Sequence, residues 1–239
     1  MFTKFLSRAA GRGGLALALS CGASAQSFNL DLDIFFGSPA VGNGAPAPGF
    51  PGAAGQPGFW NRVYLNDQGP TPLVGLDGLP TNVVYTAEGG LGGGIGFNNP
   101  SNTGDYALLL NDAAQIGYPL GYNAYVFTGL TPGPYRVFTY AVRPSGTTVN
   151  ASVYVPGSTS ANPQVVTGPM PGNAFQYLIT HAIHDVSVDS VLTVRISGPW
   201  IPGTYVNGFQ IVAVPEPAGA ISVSLGILLF LRRKKRPNG

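Results

Sequence analysis

Two histidines and an aspartate form the first run of residues that could do chemistry. His181 and His184 are the only histidines of the chain, and Asp185 follows them directly. Histidine and carboxylate together are common metal ligands. On a strand, however, residues 181 and 184 face opposite sides of the sheet, so they converge only if the chain turns between them. We therefore interpret this run as a solvated strand end.

A second run lies near the start of the chain. Asn29, Asp31 and Asp33 alternate with apolar residues, which places their side chains on one face of a strand. Oxygen ligands of this kind suit calcium, and two carboxylates could also act as an acid and a base. We expect this to be the wet face of the first strand, and we leave a structural calcium ion at Asp31 and Asp33 open. No other cofactor is expected.

The motifs of common enzyme classes are missing from the sequence. It contains no G-x-S-x-G and no H-E-x-x-H, the patterns of a serine nucleophile and of a zinc protease. Six glycines within residues 89–96 fit no dinucleotide-binding register, and we expect a flexible surface loop there. Glu88 is the only glutamate before the carboxy-terminal tail, whereas glycoside hydrolysis requires two acids. We expect no catalytic activity.

Aromatic residues near predicted loops are the hint of ligand binding. Flat rings can stack on a sugar face while nearby polar groups bond to its hydroxyls. The candidates are Trp60, Trp200 and Tyr205. The alternative is that these rings belong to the core.

Both ends of the chain have the composition of export signals. Residues 1–25 begin with cations, continue with an apolar centre and end in Ala23 and Ala25, a small-residue cleavage pattern typical of a signal peptide. Residues 214–239 begin with Pro215, Glu216 and Pro217 and continue with an apolar run to residue 231. As a helix from residue 217 this run would span roughly 22 Å, less than a hydrocarbon core of about 30 Å. A stop-transfer cluster of cations follows, which is Arg232, Arg233, Lys234, Lys235 and Arg236.

This order of elements resembles the PEP-CTERM sorting signal. The resemblance covers the last tenth of the chain, with an ordinary single-span anchor as the alternative. It implies recognition by an exosortase, a transient stay in the inner membrane through the carboxy-terminal helix, and a Gram-negative host. It also implies delivery of the product to the cell surface, the outer membrane or the extracellular matrix.

The exported part differs in charge from the whole chain. Residues 26–213 contain four arginines and nine acidic residues, which gives a formal charge of −5, although the whole chain carries +2. Without a basic patch, nucleic acid is not an expected partner. Cys21 is the only cysteine and belongs to the predicted signal peptide. The exported part therefore needs a hydrophobic core, and its length suits one domain.

The same residues predict an all-β fold. Gly, Pro, Asn, Thr, Val and Tyr are abundant, a composition that favours strands and turns. Residues 37–58 are mostly Gly, Ala and Pro, and we expect a long loop or linker there. Residues 129–134 predict a compact hairpin or corner. Strands are predicted at residues 28–34, 60–65, 81–86, 123–128, 135–142, 147–155, 175–181, 191–197 and 205–212.

Residues 129–137 and 206–211 are similar to those of jelly-roll modules akin to galactose-binding-like domains. The resemblance implies a jelly-roll-like β-sandwich for residues 26–213, and many members of that broad fold bind carbohydrate. We expect an exported protein with a structural or adhesive role in extracellular polymer. The alternative is a carbohydrate-binding module, with polysaccharide as partner, and a glycan-acting hydrolase is less favoured.

Overall fold

The computed structural model describes residues 26–33, 44–64, 69–89, 91–116, 122–148, 150–170, 172–199 and 203–215. The predicted signal peptide with Ala23 and Ala25, the tail from Glu216 onwards and Trp200 lie outside these residues. No helix within the described part is long and apolar enough to cross a membrane. That part contains fourteen strands and one six-residue helix, so the all-β prediction is confirmed.

Two sheets stacked on each other make up most of the structure. The strands are β1 (Phe28–Asp33), β2 (Trp60–Tyr64), β3 (Thr71–Val74), β4 (Pro80–Gly89), β5 (Leu91–Gly96), β6 (Asp112–Ile116), β7 (Tyr122–Thr128), β8 (Gly133–Tyr140), β9 (Ala151–Tyr154), β10 (Gln164–Val166), β11 (His181–Val188), β12 (Val191–Ser197), β13 (Tyr205–Val206) and β14 (Gly208–Ala213), with helix α1 (Asp105–Leu110) between β5 and β6. Sheet A has the order β11-β8-β14-β1-β2, and sheet B has the order β10-β9-β12-β7-β4-β3. A small third sheet has the order β13-β6-β5.

Aromatic rings fill the space between the two sheets. Phe209 of sheet A lies 5.1 Å from Tyr125 and 5.7 Å from Phe127 of sheet B, measured between ring centroids. Tyr85 packs beside the same two rings. Offset and edge-on aromatic pairs of this kind add to the free energy gained by burying their area. The described domain thus has the hydrophobic core that a chain without disulfides requires.

The predicted turn at residues 129–134 is a corner. β7 belongs to sheet B and β8 to sheet A, so the chain crosses from one sheet to the other there. The prediction of residues 191–197 as a strand is confirmed by β12. Two predictions were wrong: β11 begins at His181 and does not end there, and part of the glycine run forms β5.

The described part of the Gly/Pro-rich segment, residues 44–58, contains no strand or helix, as a predicted loop should, but it is held in place by sheet A. Residues 44–58 lie on the outer face of sheet A, because polar side chains of the sheet bind their backbone. Gln210 accepts a hydrogen bond from Ala54 N at 3.0 Å and donates one to Pro51 O at 3.0 Å. The Tyr140 hydroxyl accepts one from Ala53 N at 2.7 Å. The sheet thus supplies the partners that the segment's own side chains lack.

The two ends of the described domain meet. β1 and β14 are antiparallel neighbours, so Ser27 and Ala213 lie side by side, and Ala213 N donates to Ser27 Oγ at 2.9 Å. Val214 N donates to Pro134 O at 2.9 Å. Pro215, the one residue of the Pro-Glu-Pro motif that the structure describes, follows directly and is exposed. Ser27 and Val214 therefore both lie at the end of the sandwich that carries the corner.

Candidate functional site

Asp31 and Asp33 lie on one face of β1, as the alternation predicted, but that face is not wet. Both side chains are fully buried. Asp33 pairs with Arg62 of β2, whereas neither carboxylate oxygen of Asp31 has a hydrogen-bond partner within the described residues. Burial raises the pKa of Asp31 well above its usual range, the nearby charge of Asp33 raises it further, and Arg62 lowers it. These buried carboxyls are closed to a substrate.

The two histidines begin β11 and point to opposite faces of it, as predicted, but neither is solvated. His181 is 5% exposed and His184 is not exposed at all. Burial lowers the pKa of each to about 4, with the charge of Asp185 acting against this for His184. Within the described residues no group of three or more His, Cys, Asp or Glu side chains could hold a metal ion.

Two of the three aromatic candidates lie in the interior. Trp60 and Tyr205 are each 2% exposed. The Trp60 indole N–H donates to Phe50 O at 3.1 Å, and the Arg143 guanidinium lies 5.7 Å from the Tyr205 ring centroid. Neither ring offers a free face for stacking, because Phe50 of the Gly/Pro-rich segment packs against Trp60, and Tyr205 packs against Ala113 and Ile95 of the small third sheet. Trp200 lies outside the described residues.

A different aromatic residue borders an open cleft. The cleft, which we call the Tyr177 cleft, has a volume of about 300 Å³. It lies on the outer face of sheet A at its β11 edge. Tyr177 is 51% exposed beside it. Its lining residues are Arg136, Ser160, Ala161, Gln164, Tyr177, Ile183 and Asp185.

A charged pair forms one side of the Tyr177 cleft. Arg136 Nε donates to Asp185 Oδ1 at 2.7 Å, and Arg136 Nη2 donates to Asp185 Oδ2 at 3.2 Å. The two residues face each other in the register of β8 with β11. Because this fork fixes both groups, the remaining N–H groups of Arg136 and the outer lone pairs of Asp185 have defined directions towards solvent.

The opposite wall is formed by a segment that covers the free edge of β11. Gln164 Oε1 accepts a hydrogen bond from Ile183 N at 2.9 Å, and Ser160 Oγ accepts one from Asp185 N at 2.9 Å. β11 is the edge strand of sheet A, so these side chains replace a missing neighbouring strand. The cleft walls are therefore held by hydrogen bonds to the backbone of the sheet.

A strained turn holds Tyr177 in place. Leu178 has φ of 61°, the only positive φ of a non-glycine residue in the described part of the chain, a conformation that costs about 1–3 kcal/mol. Thr180 stabilises the turn, since its hydroxyl accepts from Gln176 N at 2.9 Å. The His181 ring packs edge-on against Tyr177 with centroids 6.4 Å apart. The exposed ring thus rests on a buried and neutral imidazole.

This arrangement can bind a ligand that is polar at its edges and apolar on its faces. The Tyr177 ring offers a stacking surface, Ile183 an apolar floor, and the Arg136 and Asp185 pair offers donors and acceptors together. A pyranose ring has this distribution of groups, since its C–H faces stack on aromatics and its hydroxyls both donate and accept. The cleft carries no net charge, because its cation and its anion neutralise each other.

Two larger grooves lack this combination. One of about 450 Å³ runs past Phe59, Trp60, Pro72 and neighbouring prolines. Its Arg62 binds Asp33, which is fully buried and presents no acceptor to solvent, and its Asn61 bonds to Val74 in both directions. The other, of about 430 Å³, lies beside Gln26 and the turn from β3 to β4, and none of the described residues that line it is aromatic. The Tyr177 cleft is therefore the candidate site.

Sequence reasoning missed the residues of this cleft. Tyr177 falls in a segment predicted to be a strand, and Arg136 and Asp185 are 49 residues apart. Arg136 itself was a sign of a functional position, because it is the one charged residue of β8, the strand that follows the corner. Its partner could not be found without knowing that β8 and β11 are neighbours.

Comparison with known proteins adds little to this picture. No family model matches the chain, and no curated protein matches it. Among solved structures, the chain is similar to the CBM35 module of Abf62 from Cellvibrio japonicus, with 14% identity, 55% of this chain and 94% of that chain covered, and a TM-score of 0.30. It is similar to Xyl-CBM35 in complex with a glucuronic acid containing disaccharide, with 14% identity, 56% of this chain and 95% of that chain covered, and a TM-score of 0.30. It is also similar to an exo-beta-1,3-galactanase from Phanerochaete chrysosporium, with 12% identity, 58% of this chain and 36% of that chain covered, and a TM-score of 0.28. At such scores the likeness carries no argument, and the β-sandwich is established by the strand order of the chain itself.

Proposed function

We propose that this chain is an exported, non-catalytic polysaccharide-binding protein with a jelly-roll-like β-sandwich, which acts as a structural or adhesive component of extracellular polymer. The observation that supports binding is the Tyr177 cleft, where a half-exposed ring adjoins the Arg136 and Asp185 pair. Solvent-facing clefts with one aromatic platform and a few fixed polar groups suit side-on binding of a sugar chain. If the bound polysaccharide is part of the surrounding extracellular polymer, binding gives the protein a structural or adhesive role.

The experiment is electrophoresis of the full chain through gels containing neutral or acidic polysaccharides. We expect retardation in at least one neutral polysaccharide and no release of reducing sugar from it. Equal mobility in every gel would contradict the binding proposal. Release of reducing ends would contradict the proposal that the protein is non-catalytic.

Export and sorting are a second part of the proposal. The exposed Pro215 follows the paired ends of β1 and β14, so a tail recognised by an exosortase would leave from one end of the domain. Mass spectrometry of material secreted by a Gram-negative host tests this. Loss of all residues beyond the Pro-Glu-Pro motif would support sorting, and an intact carboxy terminus in the secreted product would contradict it.

We further propose a structural calcium ion at Asp31 and Asp33, two buried carboxylates on one face of β1. Three of their four carboxylate oxygens are buried without a hydrogen-bond partner in the described structure, and such oxygens are hard donors of the kind calcium prefers. Arg62 already neutralises part of their charge. A melting temperature that falls when a chelator is added would support bound calcium, and an unchanged one would contradict it.

A further inference from the structure

The outer face of sheet B is uncovered within the described part of the chain and almost free of charge. The side chains of β12, β7 and β4 that point away from the core are half-buried or exposed, except for the small Ala124. Val191 is 52% exposed, and Tyr122 and Tyr154 on the same face are 46% and 39% exposed. Exposed apolar side chains gathered on one face mark an interaction surface.

This face is symmetrical about its central strand β7. The residues that pair across the three strands form three rows, each read from β12 through β7 to β4: Val191 with Thr128 and Val84, Thr193 with Val126 and Thr86, and Arg195 with Ala124 and Glu88. In two rows the outer positions carry the same residue type, and in the third they carry opposite charges. A two-fold axis that lies above β7 and parallel to it would exchange the two sides.

That symmetry makes the face complementary to itself. Two copies stacked about such an axis would place Val191 opposite Val84 of the other copy and Thr193 opposite its Thr86. Arg195 would face Glu88 of the other copy, and the same ion pair would form twice. Within the described residues neither Arg195 nor Glu88 forms an ion pair inside one chain, since two strand spacings of about 4.8 Å separate them.

We infer that two copies of this chain associate face to face through the outer side of sheet B, about a two-fold axis along β7. Charge complementarity favours a second copy, because the same face rotated about β7 supplies a carboxylate opposite Arg195 and a guanidinium opposite Glu88. About this axis five strands overlap, from β9 to β3, and at a spacing of about 4.8 Å and strand lengths of up to about 20 Å they give roughly 400–500 Å² per copy. Together the two copies bury close to the 1,000 Å² or so that a specific interface requires, so the dimer is weak and reversible.

The association leaves the proposed ligand site free. The Tyr177 cleft lies on the outer face of sheet A, on the opposite side of the sandwich from the rows of β12, β7 and β4. A dimer would therefore present two clefts facing away from each other. The inference does not depend on the ligand of the cleft.

The test is chemical cross-linking of the full chain carrying a single added cysteine. In Thr128→Cys the new thiol lies on the axis, and its equivalent in the other copy lies across a sheet separation of about 10 Å, within reach of a short bismaleimide. The matched control is Ser187→Cys, an exposed position of β11 in sheet A, and the unsubstituted chain controls for Cys21. We expect a cross-linked dimer from Thr128→Cys alone. Equal yields at both positions would overturn the inference.

A charge exchange separates this geometry from other contacts. In the Thr128→Cys chain, Arg195→Glu or Glu88→Arg alone should lower the dimer yield at least threefold, because two like-charged pairs then face each other. The double variant Arg195→Glu with Glu88→Arg should restore the yield. Both sites are exposed, so circular dichroism should show an unchanged fold. Failure of the exchange to restore the dimer would contradict the two-fold arrangement.

Discussion

Arg136 of β8 donates hydrogen bonds to both carboxylate oxygens of Asp185 on the neighbouring strand β11, at 2.7 Å from Nε and 3.2 Å from Nη2. Both side chains remain about half exposed, so the contact adds less than about 1 kcal/mol to stability. The pair contributes to ligand binding by orientation, because two parallel hydrogen bonds hold the remaining donors of Arg136 and acceptors of Asp185 in fixed positions beside Tyr177.

Loss of the Tyr177 ring should abolish most polysaccharide binding. Stacking on an aromatic ring contributes about 0.5–1.5 kcal/mol beyond the buried area, so Tyr177→Ala should weaken retardation in affinity gels about tenfold. Tyr177→Phe keeps the ring and should retain most of the binding. The matched control is Phe97→Ala, which removes a ring of similar exposure, 46%, outside the cleft. An equal effect of both alanine variants would speak against the cleft.

Replacement of Arg136 by lysine tests the fork. Arg136→Lys keeps the charge but cannot bond to both oxygens of Asp185 at once. We expect binding to weaken about threefold to tenfold, while the free energy of unfolding changes by less than about 1 kcal/mol because the pair is exposed. Denaturant titration measures the second quantity. A large loss of stability would show that the pair serves the fold and not the ligand.

Two glycines of the Gly/Pro-rich segment form a matched pair. Gly52 and Gly55 have φ of 59° and 66°, so an alanine at either position costs about 1–2 kcal/mol from backbone strain. A Cβ at Gly52 would lie 2.2 Å from Gln210 Oε1, whereas nothing lies within 4 Å of one at Gly55. Gly52→Ala should therefore destabilise the protein clearly more than Gly55→Ala and should speed proteolysis within residues 44–58. Equal costs would mean that the segment is not bound to the sheet through Gln210.

The buried carboxyl of Asp31 should weaken the fold at neutral pH. Its pKa is raised in the folded state, so the folded protein holds a proton that the unfolded chain gives up, and stability is lost as the pH rises through the raised pKa. With a chelator present, Asp31→Asn should increase the melting temperature at pH 7 and have little effect below pH 4. Thermal melts at both values measure this. A lower melting temperature of the variant at pH 7 would contradict the prediction.

The histidines act in the opposite direction. Their pKa of about 4 in the folded protein lies below the usual 6.5, so the unfolded chain binds more protons between these values, and stability falls as the pH is lowered from 6.5 towards 4. Each histidine contributes a slope of up to about 1.4 kcal/mol per pH unit. In an Asp31→Asn background, His184→Leu should halve this slope, and an unchanged slope would show that His184 is accessible to protons when folded.

The sequence predicted the strands whose alternation is regular. In the strand predicted at residues 147–155, Val153 and Val155 alternate with polar residues and are fully buried, and β12 spans the predicted residues. Period-two alternation indicates which side of a strand is apolar, and for these strands it was sufficient to predict the residues that face the core.

What covers the polar side could not be predicted. Asn29 and Asp31 share a face as expected, but the face is buried because a distant segment lies over it. Asn29 Nδ2 donates to Gln56 O at 3.2 Å, a contact across 27 residues. A glycine-rich segment has no apolar pattern of its own, so the information that orders it resides in the side chains of the sheet. The Tyr177 cleft depends in the same way on which strands are neighbours.

The position of β14 determines how the domain resists tension. It lies inside sheet A between β8 and β1 and is antiparallel to both. A pull on Val214 along the axis of this strand would act at right angles to the hydrogen bonds on either side. Under such a force the hydrogen bonds on both sides of β14 are loaded at the same time, so they would have to break together and not one after another. Force applied along β14 from its carboxyl end would therefore load the hydrogen bonds to β1 and β8 in shear.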